Sequence, residues 1–122
     1  MIIDSNIIIY SALPAYPTIR QLLREQSPVV SVISKVEVLG YHQLSEPARS
    51  LLESFFAAAM VLPVTDSVAD EAIRLRQLRR MKLGDALIAA TALVFGHTLV
   101  TRNVSDFKDI DGLTVIDPLA DD

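Results

Sequence analysis

Four acidic residues stand at the boundaries of predicted strands and helices. Asp4 ends the first predicted strand and Asp106 follows the fourth, while Glu37 and Asp85 lie at predicted helix starts. Because the carboxyl ends of parallel strands meet at one edge of a sheet, we expect these carboxylates to converge there. Clustered carboxylates repel one another, and a divalent cation relieves that repulsion. Oxygen ligands without His or Cys favour hard ions, so the pattern predicts a Mg²⁺ or Mn²⁺ site.

Each acid also has a purely structural interpretation. Asp4 could cap the turn that follows its strand. Ser34 and Glu37 have the spacing of a capping box, in which the glutamate reaches back to the serine amide. Asp85 would complement a helix dipole, and Asp106 could form a turn in a polar loop. The predicted metal site therefore depends on the shared placement of the four acids.

Short apolar runs alternate with helical patterns along the whole chain. Strands are predicted over residues 1–4, 29–33, 61–64, 98–101 and 113–116. Helices are predicted over 18–26, 34–41, 46–60, 66–81 and 85–95, with Asp66 or Ser67 as the cap of the fourth; residues 6–13 fit a strand extension or a short helix. Apolar strands separated by helices indicate a parallel sheet covered on both faces. We therefore expect one α/β domain over residues 1–122, with three layers and four to five short strands.

Composition excludes several kinds of site. The 122 residues contain no cysteine, which removes thiolate zinc sites, iron–sulfur clusters and cysteine nucleophiles. A net charge of −4 gives no indication of nucleic-acid binding by bulk charge. No apolar run reaches the roughly 20 residues of a membrane span, and no basic leader opens the chain, so we expect a cytoplasmic protein.

High hydrophobicity predicts a partner surface. Hydrophobic residues make up 51% of the chain and the mean hydropathy is +0.38, which is high for a soluble monomer of this size. We expect a homodimer, with the apolar helices near residues 18–26 and 41–60 contributing to its interface.

Four segments resemble the motifs of PIN-domain ribonucleases. The triplet DSN at residues 4–6 is similar to their opening motif, and SKVE at 34–37 is similar to their second. GDALIAATA at 84–92 resembles their helix opened by Asp, and TRNVSDF at 101–107 resembles their last motif. The order and spacing match from residue 1 to about residue 117. The size of the chain is similar to that of VapC-type toxins of toxin–antitoxin pairs.

This resemblance implies a metal-dependent ribonuclease. Mg²⁺ or Mn²⁺ would activate water for attack on an RNA phosphodiester, and the metal would be held by Asp4, Glu37, Asp85 and Asp106. Four neighbouring polar residues are the candidates for orienting these acids: Ser5, Asn6, Thr101 and Asn103. Some family members carry an acid where this chain has Asn103, so metal binding here would depend more on Asp106.

A basic cluster precedes Asp85. The side chains of Arg74, Arg76, Arg79, Arg80 and Lys82 could form a solvated helix face or a surface that follows the phosphates of RNA. Because Lys82 lies three residues from Asp85, we predict RNA contacts from Arg79, Arg80 and Lys82. Aromatic residues are only 6% of the chain, which argues against an aromatic stacking platform for single-stranded RNA.

The resemblance also implies a small antitoxin protein as partner. An Arg or Lys of its tail could enter the acidic cleft and pair with Asp4 or Asp106. The chain has no DNA-binding motif of its own, so any promoter binding would come from the antitoxin.

Three other functions fit parts of the pattern. A receiver domain has a similar length and an acidic Mg²⁺ pocket. It also needs an Asp at the end of the third strand and a late Lys after a strand, and the sequence offers neither. A D-x-D phosphatase would need an acid where this chain has Asn6. A catalytically silent PIN-like interaction module remains the main alternative, and a nuclease assay with Mg²⁺ or Mn²⁺ separates these functions.

Overall fold

Five short parallel strands form the centre of the molecule. The computed structural model describes residues 1–13, 15–25 and 27–119. Within them the strand order is β3-β2-β1-β4-β5 and every neighbouring pair is parallel. The strands are β1 Ile2–Ile3, β2 Val29–Ser31, β3 Met60–Leu62, β4 Leu99–Val100 and β5 Val115–Ile116. The predicted parallel α/β sheet is therefore confirmed.

Six α-helices surround this sheet in the described residues. They are α1 Ser5–Ser11, α2 Pro17–Glu25, α3 Val32–Leu39, α4 Glu46–Ala58, α5 Asp66–Leu78 and α6 Leu83–Phe95, and a 3₁₀ helix spans Val104–Phe107. The segment 6–13, which fitted either a strand or a helix, lies mostly in α1. None of the helices in the described part of the chain is long and apolar enough to cross a membrane.

Several predicted helix boundaries are wrong. Helix α3 begins at Val32 rather than residue 34, α5 ends at Leu78 rather than residue 81, and α6 begins at Leu83 rather than residue 85. Helix α5 is capped by Thr65, whose hydroxyl accepts a hydrogen bond from the Val68 amide at 3.1 Å. The predicted caps Asp66 and Ser67 are both already helical, because Thr65 has the extended backbone that a cap requires. Helix α4 ends at Ala58, since Met60 pairs with Val29 in the sheet.

The sheet separates two hydrophobic cores. Ile2 and Leu99 point towards α5 and α6, while Ile3 and Val100 point towards α1 to α4. This alternation follows from the two-residue period of a strand, which sends successive side chains to opposite faces. All four side chains are buried. Burial of such a side chain stabilises the fold by about 1.5–3 kcal/mol, so β1 and β4 are fixed from both sides.

The strand order places a crevice beside the central strand. From β1 the chain adds β2 and β3 on one side of the sheet, and then β4 and β5 on the other. A change of direction of this kind opens a crevice beyond the carboxyl ends of the strands. Asp4 directly follows β1, and Thr101 directly follows β4. These two residues therefore flank the crevice.

Candidate active site

Asp4 is fixed at the base of the crevice by two elements. Its Oδ1 accepts a hydrogen bond from the Ser5 amide at 2.7 Å, which caps α1, and its Oδ2 accepts one from the Thr101 hydroxyl at 2.7 Å. The Thr101 hydroxyl in turn accepts a hydrogen bond from the Asn103 amide at 3.0 Å. Asp4 is only 5% exposed. The carboxylate thus caps α1 and also lies at the crevice, so its structural interpretation does not exclude the predicted metal-binding role, which stays a prediction.

Glu37 reaches Ser5 rather than the start of its own helix. Ser31 caps α3 by accepting a hydrogen bond from the Ile33 amide, so Ser34 lies inside the helix and Glu37 lies in its second turn. The predicted capping box and the predicted first-turn position are therefore wrong. The Glu37 Oε1 instead accepts a hydrogen bond from the Ser5 hydroxyl at 2.7 Å. This bond joins α3 to α1 and directs the carboxylate to the crevice.

Ser34 was not among the predicted site residues, but its buried hydroxyl contacts the Ser5 hydroxyl. Ser34 Oγ lies 3.1 Å from Ser5 Oγ, and Ser34 is fully buried. A serine has one hydroxyl hydrogen, and the Ser5 hydroxyl donates its own to Glu37 Oε1. Ser34 therefore donates to Ser5. The three side chains form a chain of hydrogen bonds that ends on the Glu37 carboxylate.

A glycine brings Glu37 against the start of α6. A Cβ at position 84 would lie 2.8 Å from Glu37 Oε2, closer than real Cβ contacts. Gly84 is the second residue of α6 and Asp85 the third. Glycine at this point thus leaves the space that the Glu37 carboxylate occupies. This role of Gly84 becomes visible only when α3 and α6 are packed together, because the sequence of neither helix predicts their contact.

Asp85 and Asp106 line one open cleft on the same side of the sheet. Asp85 is half-buried in the first turn of α6, and Asp106 is exposed in the 3₁₀ helix after β4. The cleft has a volume of about 440 Å³ and is also lined by Lys82 and Arg80. Acidic and basic groups therefore meet in this cleft, but Asp4 and Glu37 are not among the residues that line it.

Burial and like charge act together on Asp4. Burial raises the pKa of the Asp4 carboxyl above its ordinary value, and the hydrogen bonds from Thr101 and Ser5 oppose that rise. The negative charges of Glu37 and Asp106 raise the pKa of Asp4 further. Asp4 therefore holds its proton more tightly in the folded chain than in the unfolded one.

Asp85 responds to the same neighbours. Burial raises the pKa of the Asp85 carboxyl, and the charges of Asp4 and Asp106 add to this, with a smaller effect from Glu37. Lys82 acts in the opposite direction. The charges that raise the pKa of Asp85 thus come from distant positions, since Asp4 and Asp106 are 102 residues apart in the chain.

A hard divalent cation at this edge of the sheet would have to be held partly through water. Its side-chain ligands would be the carboxylate oxygens of the four acids, which suit Mg²⁺ or Mn²⁺. Within residues 1–13, 15–25 and 27–119, no three acidic or imidazole groups form a ready cage for an ion. Mg²⁺ keeps several waters and is commonly bound by one or two carboxylates, so a complete protein cage is not required.

The polar and basic residues predicted for the site differ in the contacts that they make. Ser5 and Thr101 donate hydrogen bonds to the acids. The side chains of Asn6 and Asn103 make no hydrogen bond with another described residue, and Asn103 contributes its backbone amide. Arg79 donates to the backbone carbonyl of Lys108, so part of its role is to tie α5 to the loop after β4.

The remaining two predicted basic residues border the acidic cleft. Arg80 and Lys82 are exposed, and neither makes an ion pair with a described residue. Their positive charges remain directed towards solvent at the rim, where a phosphate could approach.

Comparison with known proteins agrees with this architecture. A family model described as "PIN domain" matches residues 1–113. A toxin–antitoxin complex from Klebsiella pneumoniae contains a chain that is 28% identical, with a TM-score of 0.75 and 96% coverage of both chains. A DNA-bound VapBC from Salmonella typhimurium gives a TM-score of 0.82 at 21% identity, again with 96% coverage of both chains, and this likeness concerns the fold alone.

A curated relative matches more closely over a shorter stretch. Ribonuclease VapC1 of Rickettsia felis is 52% identical over 40 residues, which span 31% of this chain and 30% of that relative. The family model covers most of the chain, and the solved structures share its strand and helix arrangement. The chain therefore belongs to the PIN-domain family.

Proposed function

We propose that this chain is a metal-dependent endoribonuclease and the toxin of a toxin–antitoxin pair. The observation that carries the proposal is the placement of the acids at the carboxyl edge of the sheet: Thr101 after β4 holds the Asp4 carboxylate, and Asp85 lines one cleft with Asp106. These three acids come from distant parts of the chain, and a divalent cation would relieve the repulsion between them. The name of the relative Ribonuclease VapC1 supports RNA as the substrate.

In this proposal the carboxylates hold Mg²⁺ or Mn²⁺, directly or through water. A bound ion supplies a water of lowered pKa and offsets charge on the phosphate. Thr101 and Ser5 hold the Asp4 and Glu37 carboxylates in place by the hydrogen bonds at 2.7 Å. Arg80 and Lys82 attract the RNA backbone to the rim of the cleft.

An RNA cleavage assay tests the ribonuclease proposal. We expect cleavage of single-stranded RNA with Mg²⁺ or Mn²⁺, no cleavage in excess EDTA, and a loss of orders of magnitude in Asp85→Asn. Asp70→Asn is the matched control, because Asp70 is an exposed acid on α5 without a hydrogen bond or ion pair to a described residue. Full activity in EDTA, or an equal loss in both variants, would contradict the metal mechanism.

A small antitoxin is the proposed protein partner. Solved structures similar to this chain carry the descriptions toxin–antitoxin complex and VapBC. We expect a basic side chain of the antitoxin tail to pair with Asp4 or Asp106, and any promoter contact to come from the antitoxin. A small gene directly upstream would support the pairing. If Mn²⁺ binds the co-purified complex as tightly as the free chain, the cleft is open and this mode of inhibition is wrong.

A homodimer is the proposed assembly. Leu51 on α4 and Met60 on β3 are 60% and 63% exposed, and both lie in the region predicted to contribute to the interface. The high apolar content of the chain, 51%, supports a partner surface in this region. Light scattering at micromolar concentration should give twice the 13.4 kDa chain mass, and Leu51→Glu should lower it. A single 13.4 kDa species for the unmodified chain would refute the dimer.

A further inference from the structure

A second groove adjoins the acidic cleft. It lies between α5 and α6, has a volume of about 580 Å³, and is called here the α5–α6 groove. Its apolar walls include Ile73, Leu83 and Leu87. Arg79, Arg80 and Met81 line both this groove and the cleft that contains Asp85 and Asp106. The two cavities are therefore neighbours that share one wall.

The charge of the groove suits an anion. Arg76, Arg79 and Arg80 line it, and none of the described residues that line it is acidic. Ile73 and Leu83 are 55% and 58% exposed, so the apolar surface is open to a ligand. A site with planar cations and aliphatic side chains matches a nucleotide, which has an apolar base face and a charged phosphate.

Two of the three guanidinium groups are held in place before any ligand binds. Arg76 Nε donates to the Met81 carbonyl at 3.3 Å, and Arg79 donates to the Lys108 carbonyl. Fixing a long side chain in advance lowers the entropy lost on binding. Bases of single-stranded RNA stack on arginine planes as well as on aromatic rings. The scarcity of aromatic residues therefore does not prevent base stacking here.

We propose that the α5–α6 groove binds the nucleotide next to the scissile phosphate of single-stranded RNA. Its base packs between the arginine planes and the aliphatic wall of Ile73, and Arg80 contacts the phosphate that leads into the acidic cleft. This inference rests on the proposed ribonuclease function and adds a subsite to it.

A second copy of the chain fits this groove less well. In a symmetric dimer with this groove on the two-fold axis, the three arginines of one groove would face those of the other. Like charges placed opposite each other disfavour association. A phosphodiester instead supplies the opposite charge. The groove therefore favours RNA over self-association.

A charge-reversal pair at Ile73 tests the proposal. Ile73→Glu and Ile73→Lys remove the same exposed apolar contact and differ in the sign of the new charge. Affinity for a labelled single-stranded RNA is measured by fluorescence anisotropy in EDTA, so that cleavage does not interfere. We expect Ile73→Glu to weaken binding by about tenfold and Ile73→Lys to stay within about threefold of the unmodified chain. Val94→Glu, at the far end of α6, is the matched control and should not change the affinity.

An abasic scan of the same RNA tests for base packing. Removing one base at a time should weaken binding about tenfold at one position, and this loss should disappear in Ile73→Ala. If Ile73→Glu and Ile73→Lys lose RNA affinity equally, and both variants have a lower mass than the unmodified chain in light scattering, the groove binds a second copy of the chain and the RNA proposal is wrong. If the chain cleaves RNA, but all variants bind RNA equally and no abasic position weakens binding, the groove proposal is wrong and the ribonuclease proposal stands. A chain that neither binds nor cleaves RNA overturns the groove and the ribonuclease proposal together.

Discussion

Gly84→Ala should impair the site without altering any acid. A Cβ at this position lies 2.8 Å from Glu37 Oε2, and an ordinary contact begins near 3.4 Å, so the carboxylate must retreat by about 0.6 Å. Glu37 can make this movement because it is the end of a flexible side chain. Its hydrogen bond from Ser5, now 2.7 Å, would then be strained or lost. A misplacement of 1 Å can cost about 100-fold in rate, so we expect a loss on the order of tenfold.

The same substitution should make the protein more stable. Alanine is favoured over glycine in the middle of a helix by about 0.5–1 kcal/mol. Gly84 is the second residue of α6 and has no positive φ angle that requires glycine, so we expect a gain towards the lower end of this range. The displaced carboxylate offsets only part of this gain. The expected result is therefore a higher melting temperature together with weaker Mn²⁺ binding and slower RNA cleavage, which a general loss of structure would not produce.

A double-mutant cycle identifies the cause. The melting temperature is measured by scanning calorimetry and the Mn²⁺ affinity by titration calorimetry. The rate of RNA cleavage is measured at saturating metal. Glu37→Asp shortens the side chain by one methylene and removes the contact with the new Cβ. In the Glu37→Asp background, Gly84→Ala should therefore have no further effect on metal affinity or rate. Unchanged Mn²⁺ affinity in Gly84→Ala, or an equal loss in both backgrounds, would refute the reasoning.

Three further predictions follow from the hydrogen bonds and charges of the site. Asp4→Asn removes a buried charge at nearly constant shape, so without metal its melting temperature should exceed that of the unmodified chain by about 4 °C, for a relief of about 1 kcal/mol; a lower melting temperature would contradict this. The difference in melting temperature between Asp4→Asn and the unmodified chain should shrink as the pH falls from 7. The pKa of Asp4 is raised in the folded chain, so the folded chain takes up a proton at a higher pH than the unfolded chain and loses the unfavourable charge. A difference that stays constant in melting curves recorded at acid pH would contradict this. Ser34→Ala should weaken Mn²⁺ binding, while Ser31→Ala, which removes the cap of α3 at a cost of about 1 kcal/mol, should lower stability without that loss; equal Mn²⁺ affinities in the two variants would show that Ser34 only supports the fold.

The sequence predicted the order of strands and helices because that information is local. Short β-branched runs such as Val29–Val30 and the small-residue helix after Gly84 indicate their structure within a few residues. The placement of Asp4 and Asp106 at one sheet edge followed from the general rule for parallel sheets. The positions of Asp4 and Asp106 were therefore predictable, whereas that of Glu37 in its helix was not, and the roles of all three as metal ligands stay predictions.

The contacts between distant elements could not be read from the sequence. Ser34 and Glu37 match a capping box, yet Ser31 is the residue with the extended backbone that a cap needs, and it takes that role. Glu37 then finds its partner in Ser5, 32 positions away, and its space beside Gly84 on another helix. A local pattern limits which hydrogen bonds a side chain can make. Only the packing of α1, α3 and α6 around β1 decides which of them forms, because the competing partners meet only once the chain is folded.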